Sequence, residues 1–291
     1  MKILILTTYN HKIIDGDLEY FSNSTGKLCI HLRKKHLVDI GNFNQLDINI
    51  STTQNILFND KNLDFYDWII IRSLIYKGTN NQWLAKIVSS YCLKNNINVT
   101  NGNNFEYFGS DWNKLLQMNL YSMNGIPIPK TNFGKINYQN LPMIAKPLVG
   151  THGNGIELIN DSEKVELHNN NFMKTHLFQE LLPDRQDYRV IVIGGIAIGA
   201  LLRKANGDQI ISNISAGGEA LLAELDSDMK KIAENVANLT KLDFCGVDLM
   251  KDKLGNYKVL EVNRNPEFAG FELATGINVS KKLEEFLESK V

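Results

Sequence analysis

The 291-residue chain is longer than one hydrophobic core usually organises, so its length predicts two or three packed subdomains with a cleft between them. Its charges nearly cancel, because 31 Lys and Arg stand against 32 Asp and Glu, for a formal net charge of -1. This balance excludes a broad electrostatic attraction to nucleic acid or to an anionic membrane, while a small charged ligand stays open.

The first hundred residues predict a small parallel α/β domain. Short apolar runs at 2–7 and 67–72 are typical of buried strands, and residues 80–93 have helical spacing. Strands that alternate with helices usually form a parallel sheet. The Asn-rich stretch 41–61 has no clear period and predicts no element. We place the end of this domain, residues 1–100, near Thr100.

Residues 101–182 form a second predicted subdomain. The segment DWNKLLQMNLYSMNG has the signals of a helix that Asp111 caps and Gly125 ends. From Pro142 to Leu182 the pattern predicts a strand, a glycine loop, a strand, a helix and a strand. The second boundary falls near Pro183.

Residues 183–291 predict an antiparallel sheet with helices. The segment RVIVIGGIAIGALLRK contains two strands joined by a tight turn at Gly194 and Gly195. A second hairpin, FCGVDLMKDKLGNYKVLEVN, turns at about 252–255. Helical spacing appears at 227–242 and again at 278–288. The whole chain is thus of mixed α/β and α+β class.

The cysteines and the apolar runs indicate the compartment. Cys29, Cys92 and Cys245 have no metal-ligand spacing, which suits reduced thiols in the core of a cytoplasmic protein. The longest apolar run, Val190 to Leu202, is shorter than a membrane span and contains three glycines. The N-terminus lacks the features of a signal peptide. We therefore expect a cytoplasmic protein with no membrane-spanning segment.

Three oxygen-bearing side chains are a candidate metal site. Residues two apart on a strand face the same way, so Glu261 and Asn263 in VLEVN point together while Leu260 and Val262 pack the other face. Asp248, on the partner strand of the hairpin, is expected diagonal to Glu261. Such a set suits Mg²⁺. An exposed sheet face that alternates polar and apolar residues is the other interpretation, and both stay open.

A glycine loop and two lysines are candidates for phosphate binding. Lys146 precedes GTHGNG at 150–155, a loop whose backbone N–H groups can approach phosphate oxygens. The loop is not a Walker A motif and joins two strands instead of opening a helix, so a plain hairpin turn is the alternative. Lys114, in the first turns of its helix, is by itself better interpreted as a surface lysine than as a phosphate ligand.

The order of these segments resembles the RimK-like branch of the ATP-grasp superfamily. Glutathione synthetase and D-alanine-D-alanine ligase are more distant relatives of that branch. The resemblance covers 111–291. Residues 1–100 share no motif with the family; they resemble only the general type of the small Rossmann-like α/β domain that precedes the ATP-grasp core. The motifs that carry it are DWNKLLQ, IAKPLVGTHGNGI, LFQELL, DYRVIVIGG, ISNISAGGEA, CGVDLM and VLEVNRNPEFAGFELATGINVS.

The resemblance implies a set of residues around ATP. It implies phosphate contacts for the lysines, a lid for the glycine loop, an adenine-binding linker at Glu180 and Leu181, cations near the phosphates, and a catalytic pair. The implied ATP contacts are Lys114, Lys146, Gly150, Gly153, Gly155, Glu180, Leu181, Asp187, Arg189 and Ser212; the catalytic pair is Arg203 and Asn213; the metal ligands are Asp248, Glu261 and Asn263.

The chain departs from the family at a few positions. Ile211 stands where relatives often carry Arg before the Ser-Asn pair, and His152 in the loop is either a titrating group or a spacer. Arg72 and Arg264 are candidate substrate contacts. Arg72, at the end of a strand, is suited to a substrate carboxylate or to a structural salt bridge.

The resemblance implies an ATP-dependent ligase that joins a carboxylate to an amine through an acyl phosphate and releases ADP and phosphate. ATP and two Mg²⁺ ions, with Mn²⁺ as an alternative, are the expected cofactors. The expected substrate is an amino acid, a peptide, or a protein or carrier terminus, and homo-oligomers stay open. The alternative is an ATP-binding module that has lost catalysis and acts as a sensor or scaffold, for which Ile211 is the one supporting feature.

Overall fold

The computed structural model describes residues 1–8, 13–14, 17–18, 23–72, 81–108, 113–150, 153–184, 186–204 and 219–291. Within these ranges three main sheets follow one another along the sequence, and eight α-helices pack on and between them. The cleft described below lies between the second and the third sheet.

The N-terminal sheet is parallel, with four strands in the order β4-β1-β8-β9. Its central strand β1 is buried from Ile3 to Thr7, which explains its continuous apolar sequence, since parallel strands are covered on both faces. The predicted strands and helix of this region are confirmed. The elements are β1 (Lys2–Thr7), β2 (Ile13–Ile14), β3 (Asp17–Leu18), α1 (Asn23–Leu32), β4 (Leu37–Asn42), β5 (Leu46–Ile50), β6 (Gln54–Phe58), β7 (Lys61–Asn62), β8 (Trp68–Ile71), α2 (Asn81–Lys94), β9 (Asn98–Val99) and α3 (Gly102–Phe108).

The Asn-rich stretch that predicts no element contains a small antiparallel sheet. Strands β5, β6 and β7 pair in sequence order, and Ile56 and Phe58 of β6 are buried. A Phe58 ring atom lies 2.1 Å from the position that a Cβ on Gly41 would take, so only glycine fits there. This packing is the reason that a stretch without a clear period becomes ordered.

The central sheet is antiparallel, in the order β10-β13-β11-β12. The predicted sequence of strand, loop, strand, helix and strand is confirmed. The predicted cap is wrong: the N-cap of α4 is Asn113, which directly precedes the helix and whose side chain accepts a hydrogen bond from Leu116 N at 3.0 Å. Asp111 lies outside the described residues. The elements are α4 (Lys114–Met123), β10 (Thr131–Asn132), β11 (Met143–Pro147), β12 (Glu157–Ile159), α5 (Ser162–Asn171) and β13 (His176–Glu180).

The C-terminal sheet is antiparallel, in the order β16-β15-β14-β17-β18. Both predicted hairpins are confirmed: Gly194 and Gly195, at φ 59° and 80°, join β14 to β15, and a turn closed by Gly255 N donating to Asp252 O joins β17 to β18. The elements are β14 (Gln186–Ile193), β15 (Ile196–Lys204), β16 (Glu219–Ala223), α6 (Ser227–Leu239), β17 (Phe244–Lys251), β18 (Tyr257–Asn263), α7 (Ala269–Thr275) and α8 (Val279–Glu288).

The hydrophobic clusters do not correspond one to one with the three sheets. Ile5 of the parallel sheet shares a cluster with Phe244, Phe268 and Leu283 of the C-terminal part. The central sheet has a small cluster of its own, which includes Met143 and Phe178. The three cysteines are buried and free, as predicted. The predicted domain boundaries themselves stay predictions.

Among the described helices, none has the length and apolar character required to cross a bilayer.

Candidate active site

A cleft of about 430 Å³ lies between the central sheet and the C-terminal sheet. Strands β11 and β13 line one side, and β14, β15, β17 and β18 line the other. Most of the residues predicted to contact ATP or metal meet in this cleft. They are Lys114, Lys146, Gly150, Gly153, Glu180, Leu181, Asp187, Arg203, Asp248 and Glu261.

The carboxylate wall comes from the pairing of β17 with β18. Asp248 is paired directly with Glu261, so the predicted diagonal placement is wrong. The pairing then shifts, since Leu249 is opposite Val259 and Leu260 has no partner on β17. This β-bulge turns Leu260 into the cleft beside Glu261, which corrects the expectation that Leu260 packs the other face. Val262 is buried in the core, as expected.

Two arginines hold the Asp248 carboxylate. Arg189 Nε and Nη2 donate to its two oxygens at 2.8 and 2.7 Å, and Arg203 Nη2 lies 2.9 Å from Oδ2. Arg203 also donates from Nε to Asp187 Oδ1 at 3.1 Å. Burial alone would raise the pKa of Asp248, but the two arginines overcome this and lower it. Asp248 is therefore a carboxylate at neutral pH.

The donor atoms fit a hard divalent cation. The Asn263 amide nitrogen lies 3.4 Å from Asp248 Oδ2 and 3.5 Å from Glu261 Oε1, so the three side chains converge on one region. With a cation bound there, the Asn263 amide oxygen would face it in place of the nitrogen. Two carboxylates and an amide oxygen are the ligand types that Mg²⁺ prefers.

Two lysines approach the cleft from the other side. Lys114 Nζ donates to Gly150 O at 3.0 Å and lies 3.4 Å from Glu261 Oε2, so it is not the plain surface lysine of the alternative interpretation. Desolvation of the Lys146 ammonium lowers its pKa from 10.5 to about 8, against an opposing effect of Glu261. Lys146 is therefore still largely charged at pH 7, and its position beside Lys114 suits polyphosphate binding.

The glycine loop joins β11 to β12 beside these lysines. Gly153 and Gly155 have φ values of 73° and 75°, which glycine adopts readily. A Cβ on Gly155 would lie 2.8 Å from Pro147 Cγ, so the loop also packs too closely there for a side chain. His152 lies outside the described residues.

An apolar part of the cleft was not predicted from the sequence. Its side chains come from both sheets and form a slot of the kind that binds a planar base. They are Ile144, Ile156, Leu158, Leu182, Met250 and Leu260. Strand alternation carries a signal for Met250, because it faces the same way as Asp248 two residues earlier. Leu260 had no such signal, since its orientation depends on the bulge.

The linker predicted to meet adenine begins at the end of β13. Glu180 N donates to Lys130 O at 3.0 Å, and Glu180 Oε1 accepts from Lys130 N at 2.8 Å. The Glu180 amide is therefore already engaged within the protein. Leu181 follows it along the cleft.

The remaining candidates lie elsewhere. Arg72 and Arg264 are buried and do not line the cleft; Arg264 lies over the Phe105 ring, 4.6 Å from its centroid. Ile211, Ser212 and Asn213 fall outside the described residues, so their predicted roles stay predictions.

Comparisons with known proteins identify the family of this chain. A family model described as RimK-like ATP-grasp domain matches residues 112–287. The chain is 30% identical to a probable alpha-L-glutamate ligase of Vibrio atlanticus, over 87% of each chain. It is 28% identical to a probable alpha-L-glutamate ligase 2 of Pseudoalteromonas atlantica, over 99% of this chain and 95% of the other.

Solved structures share the fold at lower identity. The ATP-grasp ligase PsnB complexed with minimal precursor superposes with a TM-score of 0.75 and 18% identity, over 100% of this chain and 99% of that one.

Proposed function

The chain belongs to the RimK-like ATP-grasp family and is an ATP-dependent carbon–nitrogen ligase, and we propose that it activates a carboxylate as an acyl phosphate before an amine attacks. The observation that carries this proposal is the convergence of two carboxylates and an amide on one wall of the cleft with two lysines facing them.

In this proposal, different groups of the described residues contact the base, the phosphates and the metal ion of bound ATP. The apolar slot around Ile144 and Met250 takes the base, and Lys114 and Lys146 neutralise the phosphates, with the glycine loop covering them. Asp248, Glu261 and Asn263 would hold Mg²⁺, which supplies charge neutralisation at the phosphates. A second ion, and Mn²⁺ as a substitute, remain part of the proposal.

The proposed reaction has two displacement steps. An oxygen of the substrate carboxylate attacks the γ-phosphorus and ADP leaves, which gives a mixed anhydride. The amine nitrogen then attacks the acyl carbon, loses a proton, and phosphate leaves. Lys146 and Arg203 stabilise the negative charge that spreads over the transferring phosphoryl group, because their cations are already positioned in the cleft. Covering the cleft keeps water from the anhydride.

For the substrates, the names of the relatives supply a proposal. Those relatives are named as glutamate ligases, so we take L-glutamate as the first amine to test, with an amino acid or a peptide as the carboxylate donor. An inactive ATP-binding module is the competing function. The described part of the cleft does not favour it, since Lys146, Arg203, Asp248 and Glu261 are all present there.

The experiment is phosphate release from ATP with purified protein, screened over amino acids and dipeptides, with mass spectrometry of the products. We expect release to rise only when both a carboxylate and an amine are present, and a product whose mass equals the sum of the two substrates minus water. Nucleotide binding without stimulation by any pair across the panel would support the inactive module instead.

A further inference from the structure

His36 and Glu284 are a buried pair that does not form a hydrogen bond. Their side chains are 7% and 3% exposed, and Nε2 of the histidine lies 3.1 Å from Oε1 of the glutamate. Among the described residues, neither atom has a hydrogen-bond partner, so the two atoms are close but not aligned for a bond with each other. Buried polar atoms without a partner are disfavoured. Both atoms therefore lack a group that complements them.

A second carboxylate faces the same ring nitrogen. Glu288 is one turn further along α8, and its Oε1 lies 3.5 Å from His36 Nε2. The three ligand atoms lie within 4.8 Å of one another. Around a tetrahedral zinc ion with bonds of about 2.0–2.1 Å, neighbouring ligand atoms are about 3.3 Å apart. The two distances from Nε2, 3.1 and 3.5 Å, lie on either side of this value.

The other contacts of Glu284 hold its carboxylate in place without using Oε1. His31 Nε2 lies 2.9 Å from Oε2, and Lys35 Nζ lies 3.4 Å from the same oxygen. Partners of this kind orient a metal-binding carboxylate. The second ring nitrogen of His36, Nδ1, lies 3.4 Å from the Met1 amino nitrogen, which is long for a hydrogen bond. With its proton on Nδ1, the ring can offer the Nε2 lone pair to a metal ion.

The two glutamates lie near the end of α8 where negative charge is least favourable. The helix ends at Glu288, and its last turn contains no basic residue. The carboxyl end of a helix carries partial negative charge, so carboxylates close to it raise the free energy of the folded protein. A cation beside them offsets this cost. Glu288 is 44% exposed, so an ion can reach the cluster from solvent.

We propose that His36, Glu284 and Glu288 form a binding site for Zn²⁺, with water as the fourth ligand. A nitrogen and two carboxylate oxygens favour zinc over Mg²⁺, which takes oxygen ligands. None of the three residues lines the described part of the nucleotide cleft, so the site is separate from the proposed Mg²⁺ ligands and does not depend on the ligase function.

The site joins two parts of the chain that are far apart in sequence. His36 lies between α1 and β4 of the N-terminal part, whereas both glutamates belong to the last helix. Zinc therefore links the C-terminal helix to the N-terminal sheet. An ion that binds the folded protein and not the unfolded chain stabilises the fold.

The test is calorimetric titration of Zn²⁺ into the purified protein, in a buffer with excess Mg²⁺ to occupy the oxygen ligands of the cleft. Glu288→Gln removes one ligand at a partly exposed position, where the fold should tolerate it. We expect the wild type to bind this zinc ion about 100-fold more tightly, or more, than the variant. Zn²⁺ should also raise the Tm of the wild type and leave that of the variant nearly unchanged.

Glu285→Gln is the matched control, because it removes an exposed carboxylate of the same helix that lies outside the cluster, and it should bind zinc as the wild type does. Anomalous diffraction at the zinc edge, from a crystal soaked in both ions, should show a peak beside His36 Nε2. Equal zinc affinity in the wild type and in Glu288→Gln would overturn the inference. So would a zinc peak found only in the nucleotide cleft, or none at all.

Discussion

Glu261→Gln replaces one carboxylate oxygen with an amide nitrogen and leaves the shape of the side chain unchanged. The Glu261 side chain is 29% exposed and lies 3.4 Å from Lys114 Nζ. At that distance the Coulomb attraction is about 1 kcal/mol in water and about 5 kcal/mol at an effective dielectric constant of 20. Desolvation offsets most of the larger value, so we expect the free energy of unfolding to fall by about 1 kcal/mol or less.

The effect on catalysis should be much larger, because the substitution removes a proposed metal ligand. Loss of a residue that only supports a ligand weakens metal binding or activity by about 10- to 100-fold, so loss of the ligand should lower kcat/KM by at least about 100-fold. The assay is phosphate release as a function of Mg²⁺ concentration, together with thermal melting.

Glu285→Gln is the matched control, since Glu285 is a glutamate paired with a lysine on the surface of α8. It should leave turnover unchanged. Activity of the Glu261→Gln protein within a few-fold of wild type, with the same Mg²⁺ dependence, would refute the metal-site assignment.

Lys146→Met should raise the free energy of unfolding of the nucleotide-free protein by about 3 kcal/mol at pH 7, because the pKa falls from 10.5 to about 8 on folding. Between pH 8 and pH 10.5 the unfolded chain binds more protons than the folded protein, so the stability of the wild type rises with pH in this range. Denaturant titrations should therefore show the stability difference between the two proteins shrinking from pH 8 to 10.5, and a constant difference would contradict this. ATP should no longer raise the Tm of the variant. Asn113→Ala and Asn278→Ala each remove a helix cap, and each should lower the free energy of unfolding by about 1 kcal/mol, seen as a lower Tm. Only Asn113→Ala should also raise the KM for ATP, because the first residue of its helix is Lys114, which lines the cleft. Gly155→Ala should raise the KM for ATP, whereas Gly125→Ala, at a similar φ of 68° but with open space around it, should only lower stability by about 1–2 kcal/mol; equal KM values would refute the role of loop packing.

The sequence was sufficient to predict those elements whose structure follows from a simple local pattern. Residues 2–7 form a strand because every side chain from Ile3 onward is buried, and the apolar run shows this directly. Glu261 and Asn263 point together because residues two positions apart on a strand face the same side of the sheet. Gly194 and Gly195 identify their hairpin because both adopt positive φ.

Other features depend on contacts that the sequence does not show. Leu260 enters the cleft because β18 contains one residue more than β17 at that point, and nothing in VLEVN marks the bulge. The stretch 41–61 is ordered by Phe58 packing on Gly41, which is a match of shapes and not a period. Asn113, not Asp111, begins its helix, although both residue types are good caps, so the preference is set by the surrounding fold.

The central sheet, which carries the glycine loop, has a hydrophobic cluster of only a few buried residues, including Ile159 and Phe178. The parallel sheet, by contrast, shares its core with the C-terminal helices. Local opening follows the amount of buried apolar contact that must be broken. Amide protons of β11 to β13 should therefore exchange with solvent through an opening that leaves β1 and β17 protected, so nucleotide can enter and leave while the rest of the protein stays folded.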